Sequence, residues 1–465
     1  MAANPSVDFF VTGFYTEGTI NYGRGIDMEI GSYLEKINSY ETEMIAQRRD
    51  FHKHPEPGWR EFRTTARIIE VLEQHEIPVK YGHEIINKNY LWSYPSPEEI
   101  NACIRRAEAQ GANPEILKKM GAFTGACAVL ETGKPGPVVA LRFDIDCNDV
   151  SECTDPGRQP VEEKFCSINE NCMHACGHDG HGTLGLFVCL ALNEIKNQLS
   201  GTVKIIFQPA EEGVRGAQSV AEGGILDDVD IFLTSHLGMG WKTGELLALS
   251  RGFLSTTKVD AEISGLSSHA GASPQDGHNA ILAACAATLS MHTACQDSRG
   301  AARINVGTIK GGSGRNVVAD HAFLQLETRG ETASIERTVF GRAMDALEGA
   351  AKMFGCTVKT EIKGSASSAD SDKELEPYIK AGAARVPGIH HYVSDGGFSG
   401  SEDATYLMEK VQSHGGRAAY MCIGCDIAAP HHNSRFNIDE RALLIGLKLY
   451  VSILWEILHE TLSNG

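Results

Sequence analysis

Three short apolar runs, VVALRF (138–143), TVKIIF (202–207) and VDIFLTS (229–235), constrain the fold more than any other feature of this chain. Each has the length and near-continuous apolarity of a strand buried on both faces of a sheet. Between the first two lies GTLGLFVCLALNEI (182–195), apolar nearly all round, which reads as a buried helix. Strands alternating with helices predict an α/β fold with a central, largely parallel sheet and helices on both faces.

The middle of the chain has a different rhythm. KVDAEISG (258–265), RINVGTIKGG (303–312), HAFLQLETRG (321–330) and TVKTEIKG (357–364) read as strands, and NAILAACAATLSMHTA (279–294) and SIERTVFGRAMDALEGAAKMF (334–354) as helices. The order βαββαβ predicts a separate α+β unit of ferredoxin-like type inserted over 254–364. The polar stretch GSASSADSDKE (364–374) then links back, and the chain closes on a helix over 439–461. The predicted organisation is an N-terminal extension (1–30) of little periodicity, a first part of the α/β domain (31–253), the insert, and a second part (365–465). Helix signals recur in the first part. Phe62, Ala66, Ile69 and Leu72 share one helical face. Residues 86–122 read as a helical insert: Ser96-Pro97-Glu98-Glu99 offers an N-cap, a first-turn proline and a capping-box glutamate, and Asn113-Pro114-Glu115 starts a second helix in the same way.

At 465 residues the chain suits about two or three domains of ~150 residues each. Its 42 % hydrophobic and 22 % charged content excludes a disordered polymer. No apolar run reaches the ~18 residues of a membrane helix. The N-terminus lacks a basic start followed by an apolar stretch, so a cytoplasmic location is expected. Thirteen scattered cysteines, an odd number, argue against a disulfide framework. The net charge of −18 argues against nucleic acid and anionic membranes as partners. It also means that an anionic ligand must meet a local cation.

The strongest chemical signal is MHACGHDGHG (173–182), with three His, one Cys and one Asp among turn-permitting glycines, a metal-ligand loop. FQPAEEG (207–213) follows the strand TVKIIF directly, and open α/β sheets bind ligands at the C-terminal ends of their strands. Adjacent glutamates there can divide the work of a metallohydrolase, one facing a cation and one taking a proton from water. Other positions stay open on local grounds. His236, past the third strand, is either a ligand or a core histidine. The pair in PHHNSRF (430–436) either ligates or lies on the surface. Asp146 in LRFDIDCND (141–149) either orients a ligand histidine or belongs to a plain turn. In the insert, His269 is a possible oxyanion donor and Arg329 a possible carboxylate partner, with nothing local to set these against structural roles.

The ordered series RRDFHKHPEPGWREFRT, LRFDIDCND, MHACGHDGHG, FQPAEEG, SHLGMGWKTGE, SSHAGASPQDGHNA, GSGRNVV, GSEDAT and HHNSRFNIDE resembles the M20 metallopeptidase and amidohydrolase family, in its branch of N-acyl-amino-acid amidohydrolases. The resemblance covers about residues 42 to 460. It implies Cys176, His178, Glu212, His236 and His432 as ligands of two divalent metal ions per protomer, and Glu211 as general base. It further implies His269 as a residue reaching the partner's site, Asn316 and Arg329 as substrate contacts, and the insert as a lid and dimerisation domain. Thiolate and imidazole suit Zn and carboxylates suit Mn, so the mixed set admits either. The expected substrate is a small N-acyl amino acid, with p-aminobenzoyl-glutamate, cleaved to p-aminobenzoate and glutamate, as first candidate and a broader aminoacylase or aryl-acyl amino-acid deacylase as alternative. The expected assembly is a homodimer or a heterodimer with a related M20 subunit. One departure lies beside the ligands: His181-Gly182-Thr183 stands where relatives often have Thr-Ala after the CGHD motif.

Overall fold

The computed structural model of the chain describes residues 26–397 and 400–459. Most of the expected N-terminal extension lies outside these residues. Residues 26–30 open a helix, Ile26–Lys36, whose Ile30 and Leu34 are buried in the main core, so the boundary expected after residue 30 falls inside a helix.

Twelve strands are described: β1 (Val79–Tyr81), β2 (Ala126–Glu131), β3 (Val138–Asp144), β4 (Thr202–Gln208), β5 (Ile231–Leu237), β6 (Glu245–Arg251), β7 (Ser255–Ser264), β8 (Ala302–Gly311), β9 (His321–Gly330), β10 (Thr357–Ala366), β11 (His391–Gly397) and β12 (Arg417–Ile423). Eight form one sheet in the order β1-β2-β4-β3-β5-β12-β6-β11. The neighbours β4-β3, β3-β5, β5-β12 and β6-β11 are parallel, while β1-β2, β2-β4 and β12-β6 are antiparallel. The parallel block β4-β3-β5-β12 is the heart of the molecule. Past their first residues β3, β4 and β5 are buried throughout, as strands covered on both faces must be. Because the four strands run the same way, the loops leaving their C-terminal ends meet at one rim.

Helices cover both faces. On one, His178–Ile195, Glu41–Lys53 and Arg441–His459 pack together. By length and composition Arg441–His459 would cross a membrane, although Lys448 and Glu456 break its apolar run. Here 78 % of it is buried inside the protein, so its apolar surface is used against the sheet. The expected helix end at 460–461 lies outside the described residues. The capping box at Ser96 is present: Glu99 N–H donates to Ser96 Oγ (3.3 Å) and Ser96 N–H to Glu99 Oε2 (2.8 Å). All thirteen cysteines are free.

Strands β7–β10 form a second, wholly antiparallel sheet in the order β10-β7-β9-β8. The helices Ala280–Met291 and Ala333–Met353 cover one of its faces and share its core. This is the βαββαβ arrangement of the ferredoxin-like unit. The chain enters it through β7 and leaves it through β10. Next to that junction Ser365 N–H donates to the Val214 carbonyl (2.7 Å), three residues from Glu211.

Candidate active site

Four loops and one helix end converge at the C-terminal rim of β3, β4, β5 and β12. The segment expected as a metal-ligand loop is shorter than the motif. The helix begins at His178, four residues before the expected start, so His178 and His181 stand on its first turn. Gly177 makes this possible: at φ 96° it turns the chain into the helix in a left-handed conformation that side chains disfavour.

The geometry around Asp146 organises the rest. Its two carboxylate oxygens accept the backbone N–H of Glu211 (3.1 Å) and of Glu212 (2.9 Å), fixing the turn after β4. Its carbonyl lies 3.0 Å from His178 Nδ1, so that ring donates there and Nε2 is the nitrogen left for a cation. His236 is held the same way, with Nδ1 donating to the Leu237 carbonyl (2.8 Å) and Nε2 3.5 Å from Cys176 Sγ. Burial, with His181 next to it, holds His236 well below the usual imidazole range, in the neutral form that ligates.

Two groups of metal donors lie close together and share the thiol: Cys176, His178 and Glu212, and Cys176, His236 and His431. Their fit to divalent cations rests on unpaired atoms. His178 Nε2 and Glu212 Oε1 are buried without a hydrogen-bond partner, which costs about 1–3 kcal/mol per group unless something satisfies them. Burial also pushes the Cys176 thiol up, and a coordinated cation is what makes such a thiol a thiolate. His432 is 58 % exposed in its side chain, with Nε2 3.5 Å from Glu212 Oε1. It has a positive φ of 63°, and its N–H donates to the Ala175 carbonyl (2.7 Å), tying this loop to the Cys176 segment.

Cys176, Glu211, Glu212, His236 and His432 line one cavity of about 540 Å³, a size suited to a small organic ligand. Glu211 sits opposite His178, Oε2 to Nε2 4.0 Å. Burial, reinforced by the charges of Glu402, Glu212 and Asp403, holds the Glu211 carboxyl well above the usual carboxylate range. A carboxylate of raised basicity beside unpaired metal donors is suited to take a proton from water.

The structure does not bring the other three expected residues to this cavity within one chain. His269 and Asn316 are exposed on adjoining loops of the small domain, where Ala270 N–H donates to the Asn316 carbonyl (3.0 Å). His269 Nδ1 accepts the N–H groups of Gly271 (3.1 Å) and Ala272 (2.9 Å), so its proton is on Nε2. Arg329 is engaged by Glu327 on its own strand, at 3.0 and 3.2 Å.

Other groups escape the sequence. His431 joins Cys176 and His236, although only the second residue of the pair was expected to ligate. His181 is spoken for: Nδ1 lies 2.5 Å from Asp144 and Nε2 accepts Leu237 N–H (2.9 Å). Beneath the site Arg142 is fully buried against Asp144 (2.7 Å), Glu402 (3.1 Å), Asp403 (3.3 Å) and Gln208 (2.7 Å). The GSEDAT motif pointed to residues 402 and 403 without giving them a role.

His174 provides a stability test. It is buried with no hydrogen-bond partner for either ring nitrogen, and burial pushes it down to about 3. It therefore stays neutral in the fold while the unfolded chain takes up a proton below about pH 6.5. Its contribution is complete above that pH and is lost as pH falls from about 6.5 towards 3, with a slope of up to ~1.4 kcal/mol per pH unit. The unfolding midpoint of His174→Gln is expected to fall less steeply over this range than that of the wild type. Parallel pH profiles would contradict this.

Comparison with known proteins identifies the family. The family model described as peptidase family M20/M25/M40 matches residues 140–456. The chain is 42 % identical over 414 residues to one of the subunits of p-aminobenzoyl-glutamate hydrolase of Escherichia coli (strain K12), covering 89 % of this chain and 95 % of that one. It is also 42 % identical over 416 residues to indole-3-acetyl-aspartic acid hydrolase of Enterobacter agglomerans, with the same coverage. The crystal structure of an aminobenzoyl-glutamate utilization protein from Klebsiella pneumoniae superposes with a TM-score of 0.78 at 35 % identity, over 91 % of this chain and 97 % of that one. With the motifs in order, the donors gathered at one sheet rim and the family match spanning both parts of the α/β domain, this chain belongs to peptidase family M20/M25/M40.

Proposed function

We propose that the chain is a two-metal amidohydrolase that frees an amino acid from an N-acyl conjugate, with p-aminobenzoyl-glutamate as its first substrate. The observation that carries this reading is the pair of buried, unpartnered donors, His178 Nε2 and Glu212 Oε1, beside the cavity that the Glu211 carboxyl lines. The relatives at 42 % identity add the substrate class, since their names specify p-aminobenzoyl-glutamate and indole-3-acetyl-aspartic acid.

Cys176, His178, Glu212, His236 and the His431–His432 pair would hold two divalent ions, Mn or Zn, which when bound supply Lewis acidity to water and to the amide carbonyl. Glu211 takes a proton from the water that adds to the carbonyl carbon. The carbon–nitrogen bond then breaks, and Glu211 returns the proton to the leaving amine. Asp146 keeps the Glu211–Glu212 turn and the His178 ring in register through its three contacts.

His269 and Asn316 belong in this reading to a partner's site. Seven of the eight exposed large apolar side chains among the described residues are on the small domain: Leu266, Ile281, Leu282, Leu289, Ile309, Val317 and Met353. Such clustering suits a contact between protomers. The partner is a second copy or a related M20 chain, and the Escherichia coli relative is itself named as one of several subunits. The test is release of glutamate from p-aminobenzoyl-glutamate by purified protein, stripped of metal and resupplied with Mn or Zn. Restored, metal-dependent cleavage is expected. Turnover of acetyl- or benzoyl-amino acids in its place would move the substrate. Activity only after addition of a related M20 chain would make this one half of a hetero-oligomer.

A further inference from the structure

The cavity that holds Glu211 has one feature the hydrolytic chemistry does not use. Of its described lining residues, Glu211, Glu212 and Glu402 are acidic, and the single lysine or arginine is Lys258. Lys258 comes from the small domain, on β7, and is half-buried. Among the described residues its ammonium has no ion pair and no hydrogen bond, whereas the cations around it are engaged: Arg329 by Glu327, and Lys363 by Glu361.

The position is built into the fold. Lys258 pairs in register with Gly364 of β10, where the strand pairing shifts. A side chain on Gly364 would collide with the Gly213 carbonyl, so the backbone beside Lys258 lies directly against the turn that carries Glu211 and Glu212. On the other side Lys258 faces Glu327 of β9, and Thr256 faces Arg329. Facing residues project from the same side of a sheet, so Lys258 and Arg329 are diagonal neighbours about 7–8 Å apart at the backbone. Arg329 stays paired with Glu327, so Lys258 is the lysine or arginine of the cavity lining left to meet a carboxylate of a bound ligand.

We propose that Lys258 receives the side-chain carboxylate of an acidic amino acid and so selects conjugates of glutamate or aspartate over those of neutral residues. The assignment rests on the amidohydrolase reading above. It resolves how a chain of net charge −18 accepts a dianionic substrate: the cation is supplied inside the cavity, where screening by water is weakest. Both relatives at 42 % identity carry the name of an acidic amino-acid conjugate.

The test compares p-aminobenzoyl-glutamate with p-aminobenzoyl-glutamine, which differ by one charge at nearly constant shape, in the metal-loaded wild type, Lys258→Gln and Lys258→Arg. The wild type is expected to prefer the glutamate conjugate in kcat/KM by at least about tenfold, as charge-assisted pairs permit. Lys258→Gln is expected to erase most of that ratio, largely through KM for the glutamate conjugate, and Lys258→Arg to keep most of it. An unchanged ratio in Lys258→Gln, or equal losses on both conjugates, would overturn the assignment. So would a wild type that handles both equally well. A wild type that cleaves neither conjugate, nor acetyl- or benzoyl-amino acids, under any metal and with a related M20 chain added, would instead refute the amidohydrolase reading.

Discussion

Glu211→Gln is expected to lower kcat by roughly a hundred- to ten-thousand-fold, the range found when a general base is removed, while metal content stays at the wild-type level. Glutamine keeps the shape and removes the basicity. Glu211 is a suitable base because burial and three nearby acidic groups hold its carboxyl well above the usual range. The turn itself should survive, because Asp146 fixes it through backbone N–H groups that the substitution leaves in place. The decisive measurement pairs kcat with metal analysis on the same sample. A variant that retains its metal and still turns over normally would remove Glu211 from the mechanism. Loss of metal together with activity would make it a ligand.

The largest expected effect on stability comes from Arg142→Met. Among the described residues this guanidinium is the one arginine or lysine paired with Asp144, Glu402 and Asp403 in the interior. Removing one partner of a buried pair costs about 3–5 kcal/mol, since the remaining charges are left uncompensated. Here the loss falls mainly on Asp144, because burial pushes Asp403 up to about 8 and leaves it largely protonated at neutral pH, so the middle of that range is expected, read from the urea midpoint. Arg142→Lys should fall between, because it keeps the charge but cannot reproduce the fork that reaches Gln208 and three carboxyl groups together. A shift worth less than about 1 kcal/mol for Arg142→Met, well under the cost of breaking a buried pair, would mean that the acidic groups are protonated in the fold.

The contrast between legible and illegible parts of the molecule follows from how local each signal is. Strands β3, β4 and β5 are readable because burial on both faces leaves an apolar run with no alternation. Strand β11 is not: its residues HYVSDGG lie at the sheet edge and are mostly exposed, so no apolar pattern was required of them. The direction of β12, parallel to β5 and antiparallel to β6, has no sequence signature, because periodicity is the same either way. The cluster at 173–182 announced its chemistry but not its shape, since whether Gly177 ends a loop or begins a helix depends on its φ. Of the adjacent His431 and His432, sequence alone cannot say which points inward, and the structure brings both to the rim. Arg142, Glu402 and Asp403 were unreadable as a unit, because their association exists only after the chain has returned from the small domain.

That return has a consequence for how the protein comes into being. Strand β12 lies between β5 and β6 in the sheet, yet it is synthesised after the whole of the small domain. While the nascent chain lengthens, the small domain, contiguous over β7 to β10, can close on its own core. The large sheet meanwhile keeps an unfilled slot with apolar strand edges on either side, the kind of surface that recruits other chains. Residues 417–423 close that slot, and His431 and His432 arrive just behind them. A chain that ends before residue 417 therefore leaves the facing edges of β5 and β6 unpaired and lacks His431 and His432.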